Sequence, residues 1–277
     1  MGRLKVLERA AGLAPGDHGS WTYDDDAGFH RAVTEYFAEG RDRGEQLVYV
    51  GNGPEGALAD HLRGLGQRER LLDSGQLRLH SVQDIFDGTT PFDPAARAEE
   101  FWRQADQAVA DGYAGLRMLG DVTALVADPA ALPQLLDYEI GVDRLMTGST
   151  ATGLCAVDQR RAGNGWARAA AVHGIQHLTS GRSPFAVRLS GETVDLVGEV
   201  DIANTADLVA LLEAVRRATR GPLRLRLADL SFIDVGGTRA LALFEQDMAA
   251  HGRPVRFEQL SRAALRTLRL FGLGDAP

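Results

Sequence analysis

The stretch LRLADLSFIDVGGTRAL, from Leu225 to Leu241, decides the fold of the C-terminal part of the chain. It opens with leucines that alternate with arginines, which predicts a strand with one solvated side. After Asp234, two glycines lead into an apolar stretch with helical spacing. A strand therefore runs into a helix at this point. The free N–H groups and positive dipole end of that helix would tolerate an anion or a phosphorylated hydroxyl.

Short elements of both kinds surround this stretch. Apolar alternation predicts a hairpin from two strands, and helical spacing predicts three helices with capping residues at Asn204 and Ser261. Gly272 fits the C-terminal end of the last helix. The predicted elements are hairpin strands at 185–189 and 193–198, a helix from 204, a strand at 223–227, a helix at 237–251, a strand at 254–257 and a helix ending near 272.

Four segments together resemble the STAS family of anti-sigma-factor antagonists: Leu196 to Thr205, Leu225 to Leu241, Gly252 to Val255 and Leu268 to Leu273. The resemblance implies a small mixed sheet with helices on one side. It also implies a partner, an anti-sigma factor of the serine-kinase type or a related regulator. A phosphate adds nearly two negative charges and can break a packed interface, which is the usual switch in this family.

The sequence departs from the family pattern at that switch. The family reads Asp-Ser-Ser-Gly, with the second serine phosphorylated, whereas this chain has Asp234, Val235, Gly236 and Gly237. Gly236 has no hydroxyl, so the usual phosphorylation is expected to be absent. Thr238, two residues on, is the alternative phosphoacceptor, although a plain role in the first helical turn is the favoured interpretation.

Two further residues near this turn are candidates for the same region. Ser231 is a weaker alternative as phosphoacceptor. Asp201, together with Asp234, is expected to contact the partner or to cap a helix, and capping is preferred for Asp234. We predict that residues 201 and 234–238 form the partner-binding and switch region, and that none of them is catalytic.

The N-terminal part alternates strands and helices. Apolar runs predict strands at 46–50, 77–82, 115–119 and 152–157, and helical spacing predicts helices at 27–43, 54–63, 94–112 and 133–145. This alternation predicts a mostly parallel sheet that is covered by helices on both faces.

The turn after the first of these strands invites comparison with a phosphate-binding loop. Gly51 and Gly56 have the spacing of G-x-x-x-x-G-K-[ST], but the Lys position is Ala57 and the Ser/Thr position is Leu58. Lys supplies charge to the terminal phosphates and the hydroxyl holds Mg²⁺. The sequence therefore predicts no NTP hydrolysis and leaves two interpretations, a simple corner or a ligand site without turnover.

Six matching segments make residues 10–180 resemble the MEDS domain, a sensory relative of RecA/KaiC-type ATPases found in methanogen and methylotroph regulators. They are His18 to Tyr23, the helix Phe29 to Phe37 that leads to Gly44 through Val50, Leu116 to Met118, Asp137 to Glu139, Leu154 to Asp158 and His173. The resemblance implies a RecA/KaiC-like α/β fold that senses small, hydrocarbon-like molecules. The family often has Cys two residues after the first His, whereas this chain has Ser20.

Several residues of this part are candidates to line a ligand pocket, and a structural role stays open for each of them. They are His18, Trp21, Tyr23, Gly51, Asn52 and Tyr138. Glu139 is expected to be a structural hydrogen-bond partner and not a general base.

Composition excludes several other functions. The formal net charge of −8 argues against nucleic acid as the main partner. Cys155 is the only cysteine, so no intramolecular disulfide is possible. His173 and His177 are four residues apart, but no metal-binding pattern surrounds them, so no metal and no cofactor are predicted. Uncharged runs are too short to span a bilayer and no signal peptide is evident, which predicts a cytoplasmic protein without a membrane segment.

The small and polar residues from Thr179 to Pro184 mark the domain boundary, giving a sensory domain at 1–180 and a STAS domain at 181–277. The sequence thus predicts a signalling protein that acts by binding and has no catalytic residues. Two alternatives stay open: a nucleotide-binding enzyme with a degenerate phosphate loop, and a scaffold of a larger signalling assembly. The chain could be a monomer or a homodimer.

Overall fold

A parallel sheet forms the centre of the N-terminal domain in the computed structural model, which describes residues 4–85, 92–177 and 185–273. Its seven strands within these residues are β1 (Lys5–Val6), β2 (His18–Tyr23), β3 (Gln46–Gly51), β4 (Leu77–Ser81), β5 (Leu116–Asp121), β6 (Ala151–Asp158) and β7 (Ile175–His177). Their order is β1-β7-β2-β6-β5-β3-β4, and every pair is parallel.

Helices cover both faces of this sheet. They are α1 (Asp26–Asp42), α2 (Glu55–His61), α3 (Arg68–Asp73), α4 (Val82–Ile85), α5 (Pro94–Ala110), α6 (Thr123–Ala127), α7 (Leu132–Met146) and α8 (Gly165–Ala170). Asp25 and Asp93 cap α1 and α5 by accepting hydrogen bonds from backbone N–H groups of the first turn. The predicted parallel α/β architecture is confirmed.

Side-chain alternation along the strands assigns residues to the two faces of the sheet. On β5, Arg117 lies 4.7 Å from the ring of Tyr36, which belongs to α1. Met118 and Gly120 line a cavity on the opposite face, between the sheet and the helices α5 and α7. The two faces therefore have different environments, a packed core under α1 and an apolar cavity under α5 and α7.

A mixed sheet forms the C-terminal domain. Its strands are β8 (Phe185–Ser190), β9 (Thr193–Val200), β10 (Leu223–Arg226), β11 (Leu230–Ile233) and β12 (Val255–Glu258), and its helices are α9 (Thr205–Ala218), α10 (Val235–Ala250) and α11 (Arg262–Leu268), followed by a 3₁₀ turn at Arg269–Phe271. The predicted hairpin β8–β9 is antiparallel, and the other pairs are parallel. Gly191 makes the tight hairpin turn with φ of 60°, a conformation that favours glycine.

The two domains share an apolar cluster. Leu136 of α7 belongs to the same buried cluster as Leu211 of α9. At the edge of this contact, Arg217 donates to both carboxylate oxygens of Asp137 at 2.7–3.0 Å. The backbone N–H of Leu189 donates to Asp143 Oδ2 at 3.2 Å. Helix α7 therefore connects the N-terminal sheet with the C-terminal domain.

Two sequence predictions need comment here. The boundary predicted between Thr179 and Pro184 lies outside the described residues, which omit 178–184. Strand β2, at the middle of the sheet, was not predicted, because HGSWTY lacks the apolar run of a buried strand although all six residues are buried. No helix in the described part of the chain is long and apolar enough to cross a membrane.

Candidate functional site

An apolar cavity of about 130 Å³ lies between the sheet and the helices α5 and α7. Strands β3, β5 and β6 form its floor, and Phe101, Tyr138 and Val142 form part of its helical wall. Arg97 and Glu100 are the charged residues that α5 contributes. Because most of the lining is apolar, the cavity suits a small apolar molecule better than a nucleotide.

A cluster of four polar side chains lies beside this cavity. His18 of β2, Glu139 of α7, Cys155 of β6 and His173, which follows α8, have ligand-type atoms that all lie within 4.8 Å of one another. His18 Nε2 is 3.2 Å from Glu139 Oε2, and His173 Nε2 is 3.6 Å from the same oxygen. His18, Glu139 and Cys155 also line the cavity.

The charges of this cluster stabilise one another against burial. Burial alone would raise the pKa of the Glu139 carboxyl, but the neighbouring His173 and His18 side chains outweigh it and hold that pKa below its ordinary value. Burial alone would lower the pKa of His18, but the neighbouring Asp143, Cys155 and Glu139 side chains raise it above its ordinary value. Burial, and then the Glu139 charge, raise the pKa of the Cys155 thiol to about 12.

Some buried atoms of the cluster have no hydrogen-bond partner. Glu139 Oε2, His173 Nε2 and His18 Nδ1 are in this class. Unsatisfied polar atoms are costly in a protein interior, so a group of them at one place is a mark of a functional site. The sequence predicted no metal site, yet these four residues are a donor set that could hold a metal ion. Sequence analysis missed the cluster because its members come from four separate elements with no local spacing.

The pocket residues predicted from sequence separate into three places. His18 and Tyr138 line the cavity. Trp21 and Tyr23 lie on the other face of β2, where Trp21 stacks on His177 with ring centroids 3.6 Å apart and Tyr23 donates to Asp121 Oδ2 at 3.2 Å.

Gly51 and Asn52 lie at the corner between β3 and α2. Leu58, which occupies the Ser/Thr position of a phosphate loop, is fully buried. A Cβ on Gly51 would meet Leu58 Cδ2 at 2.5 Å, so this leucine packs directly on the glycine. Glu55 places a negative charge in the first turn of α2. Leu58 therefore fills this corner with an apolar side chain, and Glu55 adds a negative charge where a bound nucleotide would need a cation.

The second candidate region is the N-terminus of α10. Asp234 caps this helix, since its Oδ1 accepts from the N–H of Gly237 at 2.7 Å. Gly236 is exposed, and a Cβ there would approach Asp234 Oδ1 at 3.3 Å and Thr205 Oγ1 at 3.6 Å. A side chain at position 236 would thus require the Asp234 carboxylate to shift by a few tenths of an ångström.

The side-chain hydroxyls of Thr238 and Ser231 near this turn already donate hydrogen bonds to backbone carbonyls. Thr238 is fully buried and its Oγ1 donates to the carbonyl of Asp234 at 2.8 Å. A kinase would reach this hydroxyl only after the first turn of α10 opened. Ser231 is exposed and donates to the carbonyl of Gly198 at 2.8 Å. Asp201 accepts from the N–H of Ala203 at 2.8 Å, in the loop that leads to α9.

Three exposed apolar side chains lie at this end of the C-terminal sheet. Ile202 is 91% exposed, Val235 59% and Phe232 48%. Each lies within two residues of the Val200–Ile233 pair, at the point where the parallel strands β9 and β11 end. We name these three residues the α10 patch. Sequence reasoning included Val235 but missed Ile202 and Phe232.

We expect Gly237→Ala to lower the free energy of unfolding by about 1–3 kcal/mol, because the added methyl overpacks the core. Its Cβ would lie 2.6 Å from Val200 Cγ1 and 2.9 Å from Ile233 Cγ1. Gly236→Ala is the matched control, since its Cβ would lie no closer than 3.3 Å to a neighbouring atom, the Oδ1 of the Asp234 side chain. Denaturant unfolding checks this prediction, and equal stabilities of the two variants would contradict it.

Comparison with known families gives two matches. A model described as MEthanogen/methylotroph, DcmR Sensory domain (MEDS) matches residues 17–173, which is more than half of the chain. A model described as Mlab, STAS domain matches residues 185–275. Both resemblances drawn from the sequence are thereby confirmed. No match to a curated protein was found.

Proposed function

The chain belongs to the MEDS family and carries a STAS domain after its sensory domain, and from this we propose that it is a ligand-responsive anti-sigma-factor antagonist. In this proposal a small molecule binds in the N-terminal domain, and the C-terminal domain binds an anti-sigma factor of the serine-kinase type. The observation that carries it is the position of α7, which lines the cavity and also packs against the C-terminal domain.

The size and lining of the cavity support a small apolar ligand. An apolar cavity of about 150 Å³ in a protein core stays dry and binds benzene or xenon. The cavity here, of about 130 Å³, has similar dimensions. A hydrocarbon-like molecule of about this size fits the space, and the polar groups of Glu139 and Cys155 at its edge would fix the orientation of a ligand with a polar end.

Helix α7 would transmit the effect of ligand binding in the cavity to the C-terminal domain. Tyr138, Glu139 and Val142 face the cavity. On the neighbouring turns Asp137 pairs with Arg217 of α9, and Asp143 accepts from the backbone of β8. A ligand that moves α7 would therefore shift α9 as well. Because α9 begins with Thr205 beside Gly236, the shift would reach the N-terminus of α10.

The α10 patch is the proposed docking surface. Apolar side chains that stay exposed in a cluster commonly mark a protein interface, and the centre of such an interface is depleted in charge. Gly236 lacks the hydroxyl that a kinase would modify, so phosphate cannot break this contact at that position. Partner binding would instead be controlled by the sensory domain, whose helix α7 packs on α9.

We further propose that the protein has no NTP turnover of its own. The buried Leu58 and the acidic Glu55 at the phosphate-loop corner support this view. A calorimetric titration of the full chain with ATP and Mg²⁺ tests it. We expect no heat of binding, and tight binding with product formation would favour the enzyme alternative instead.

Calorimetry of the full chain with serine-kinase-type anti-sigma factors of the same organism tests partner binding. We expect a saturable complex with at least one of them. Native mass spectrometry of the freshly purified chain, in parallel, would reveal a retained small molecule as added mass. Failure of every such kinase to bind, whether or not a small molecule is retained, would contradict the proposed partner.

A further inference from the structure

We propose that His18, Glu139, Cys155 and His173 bind one Zn²⁺ ion. Two imidazoles, a thiolate and a carboxylate form a mixed N, S and O donor set, and Zn²⁺ prefers four such ligands in tetrahedral geometry. The four residues are contributed by β2, α7, β6 and the turn after α8, so the ion would tie these elements together. The proposal goes beyond the proposed signalling function and does not depend on it.

Three of the distances within the cluster suit tetrahedral coordination, and all four ligand atoms lie within 4.8 Å of one another. Zn–N and Zn–O distances of about 2.0–2.2 Å and a Zn–S distance of about 2.3 Å place tetrahedral ligand atoms about 3.3–3.7 Å apart. His18 Nε2 lies 3.2 Å from Glu139 Oε2, and His173 Nε2 lies 3.6 Å from it. Cys155 Sγ lies 3.7 Å from His18 Nε2. Small side-chain shifts would suffice to accept the ion.

The imidazoles are oriented by partners outside the cluster. His173 Nδ1 donates to the carbonyl of Ala169 at 3.1 Å, so Nε2 is the nitrogen that faces Glu139 and would bind the ion. His18 Nδ1 faces Asp143 Oδ1 at 3.6 Å. Metal-bound histidines are commonly held in this way, with the second nitrogen turned to a carbonyl or carboxylate.

Buried polar atoms without partners point to a missing ligand at this cluster. Glu139 Oε2 and His173 Nε2 have no hydrogen-bond partner although both side chains are almost fully buried. Zn²⁺ would bind Cys155 as the thiolate. Binding would break the S–H bond, form a Zn–S bond and release the proton to solvent.

The site would also reach the C-terminal domain through one carboxylate. Asp143 Oδ1 faces His18, and Asp143 Oδ2 accepts from the backbone N–H of Leu189 in β8. A change in the position of His18 on metal binding would thus shift Asp143 and, through it, β8, the first strand of the STAS domain.

Metal loading of the purified full chain tests the proposal. After removal of metals with a chelator, we expect the protein to take up one Zn²⁺ per chain, measured by elemental mass spectrometry. Co²⁺ in place of Zn²⁺ is expected to give a thiolate-to-metal charge-transfer absorption. Uptake well below one ion per chain, or a Co²⁺ complex without that absorption, would overturn the proposal.

Variants assign the metal to these residues. Cys155→Ser should abolish the charge-transfer absorption, and Asp143→Asn should weaken Zn²⁺ binding by roughly 10–100-fold, as loss of an orienting partner commonly does. His177→Gln is the matched control, because this half-buried histidine bonds to Thr22 O on a neighbouring strand outside the cluster. Circular dichroism confirms that each variant is folded. Equal Zn²⁺ affinity of the wild type, Asp143→Asn and His177→Gln would contradict the assignment.

Discussion

Glu45→Ala is expected to lower the free energy of unfolding by about 3–5 kcal/mol, the usual cost of leaving a buried charge without its partner. The partner is Arg117, whose side chain is fully buried within β5. Its Nε donates to Glu45 Oε2 at 2.5 Å, and its Nη2 donates to the carbonyl of Leu13 at 3.1 Å. With Glu45 gone, the buried guanidinium, which cannot lose its proton, would keep the Leu13 carbonyl and a longer contact of 3.5 Å to Glu39 but lose its closest charge partner.

An exposed ion pair of the same domain gives the matched control. Arg9 and Glu35 pair at 3.2 Å, but their side chains are 71% and 37% exposed. Glu35→Ala should therefore cost at most about 1 kcal/mol. Guanidinium denaturation followed by circular dichroism checks both variants. If Glu45→Ala were no more destabilising than Glu35→Ala, the buried pair would not support the domain as described.

Val235→Asp is expected to weaken binding of the anti-sigma factor by at least about tenfold, since residues at the centre of an interface commonly contribute 2 kcal/mol or more. Val235 is 59% exposed at the first position of α10, in the α10 patch. An aspartate there would place a charge in an apolar contact. An acidic residue in the first turn of a helix interacts favourably with the helix dipole, so the Val235→Asp variant should still fold.

Val109→Asp is the control for this variant. Val109 is 46% exposed on α5, in the sensory domain and remote from α10. It tests the same chemical change at a similarly exposed helical position. Calorimetric titration should show unchanged affinity for Val109→Asp. Equal affinities of the two variants would place the partner elsewhere on the protein.

The sequence predicts most of the fold because the apolar patterns are strong. The strand Gln46–Gly51 and the helix Asp26–Asp42 lie within a residue or two of their predicted limits. Strand β2 was missed because Gly19, Ser20 and Thr22 are poor markers of a buried strand. Its backbone is satisfied by two parallel neighbours, and Thr22 Oγ1 donates to the carbonyl of His177, so polar side chains are tolerated there.

Because β2 was not predicted, the sequence also could not show that the candidate pocket residues His18 and Trp21 lie on different faces of the sheet. Once β2 is known to be a strand, His18 and Trp21 must point to opposite faces, since they are an odd number of residues apart. The cluster around Glu139 could not be predicted, because it depends on which strands are neighbours. Cys155 meets Ser20 across the β2–β6 pair, a register that no local pattern reveals.

The α10 N-terminus could be predicted more fully than the cavity. Asp234, Gly236 and Gly237 lie within four consecutive residues, so a local strand–turn–helix pattern was sufficient to place them. The partner residues Ile202 and Phe232 were missed because their exposure depends on how β9 and β11 end side by side.

The central claim is that occupancy of the cavity changes the N-terminus of α10. Hydrogen exchange of the full chain with and without benzene, used as a small apolar probe, tests it most directly. Gly120→Val serves as the blocked form, because Gly120 lines the cavity and a Cβ there would meet only Val122 Cγ1, at 3.8 Å. We predict that benzene changes the exchange of the amides at the start of α10 in the wild type and leaves Gly120→Val unchanged. Binding of benzene to the wild type, seen by calorimetry, without any change in exchange at α10 would contradict the claim.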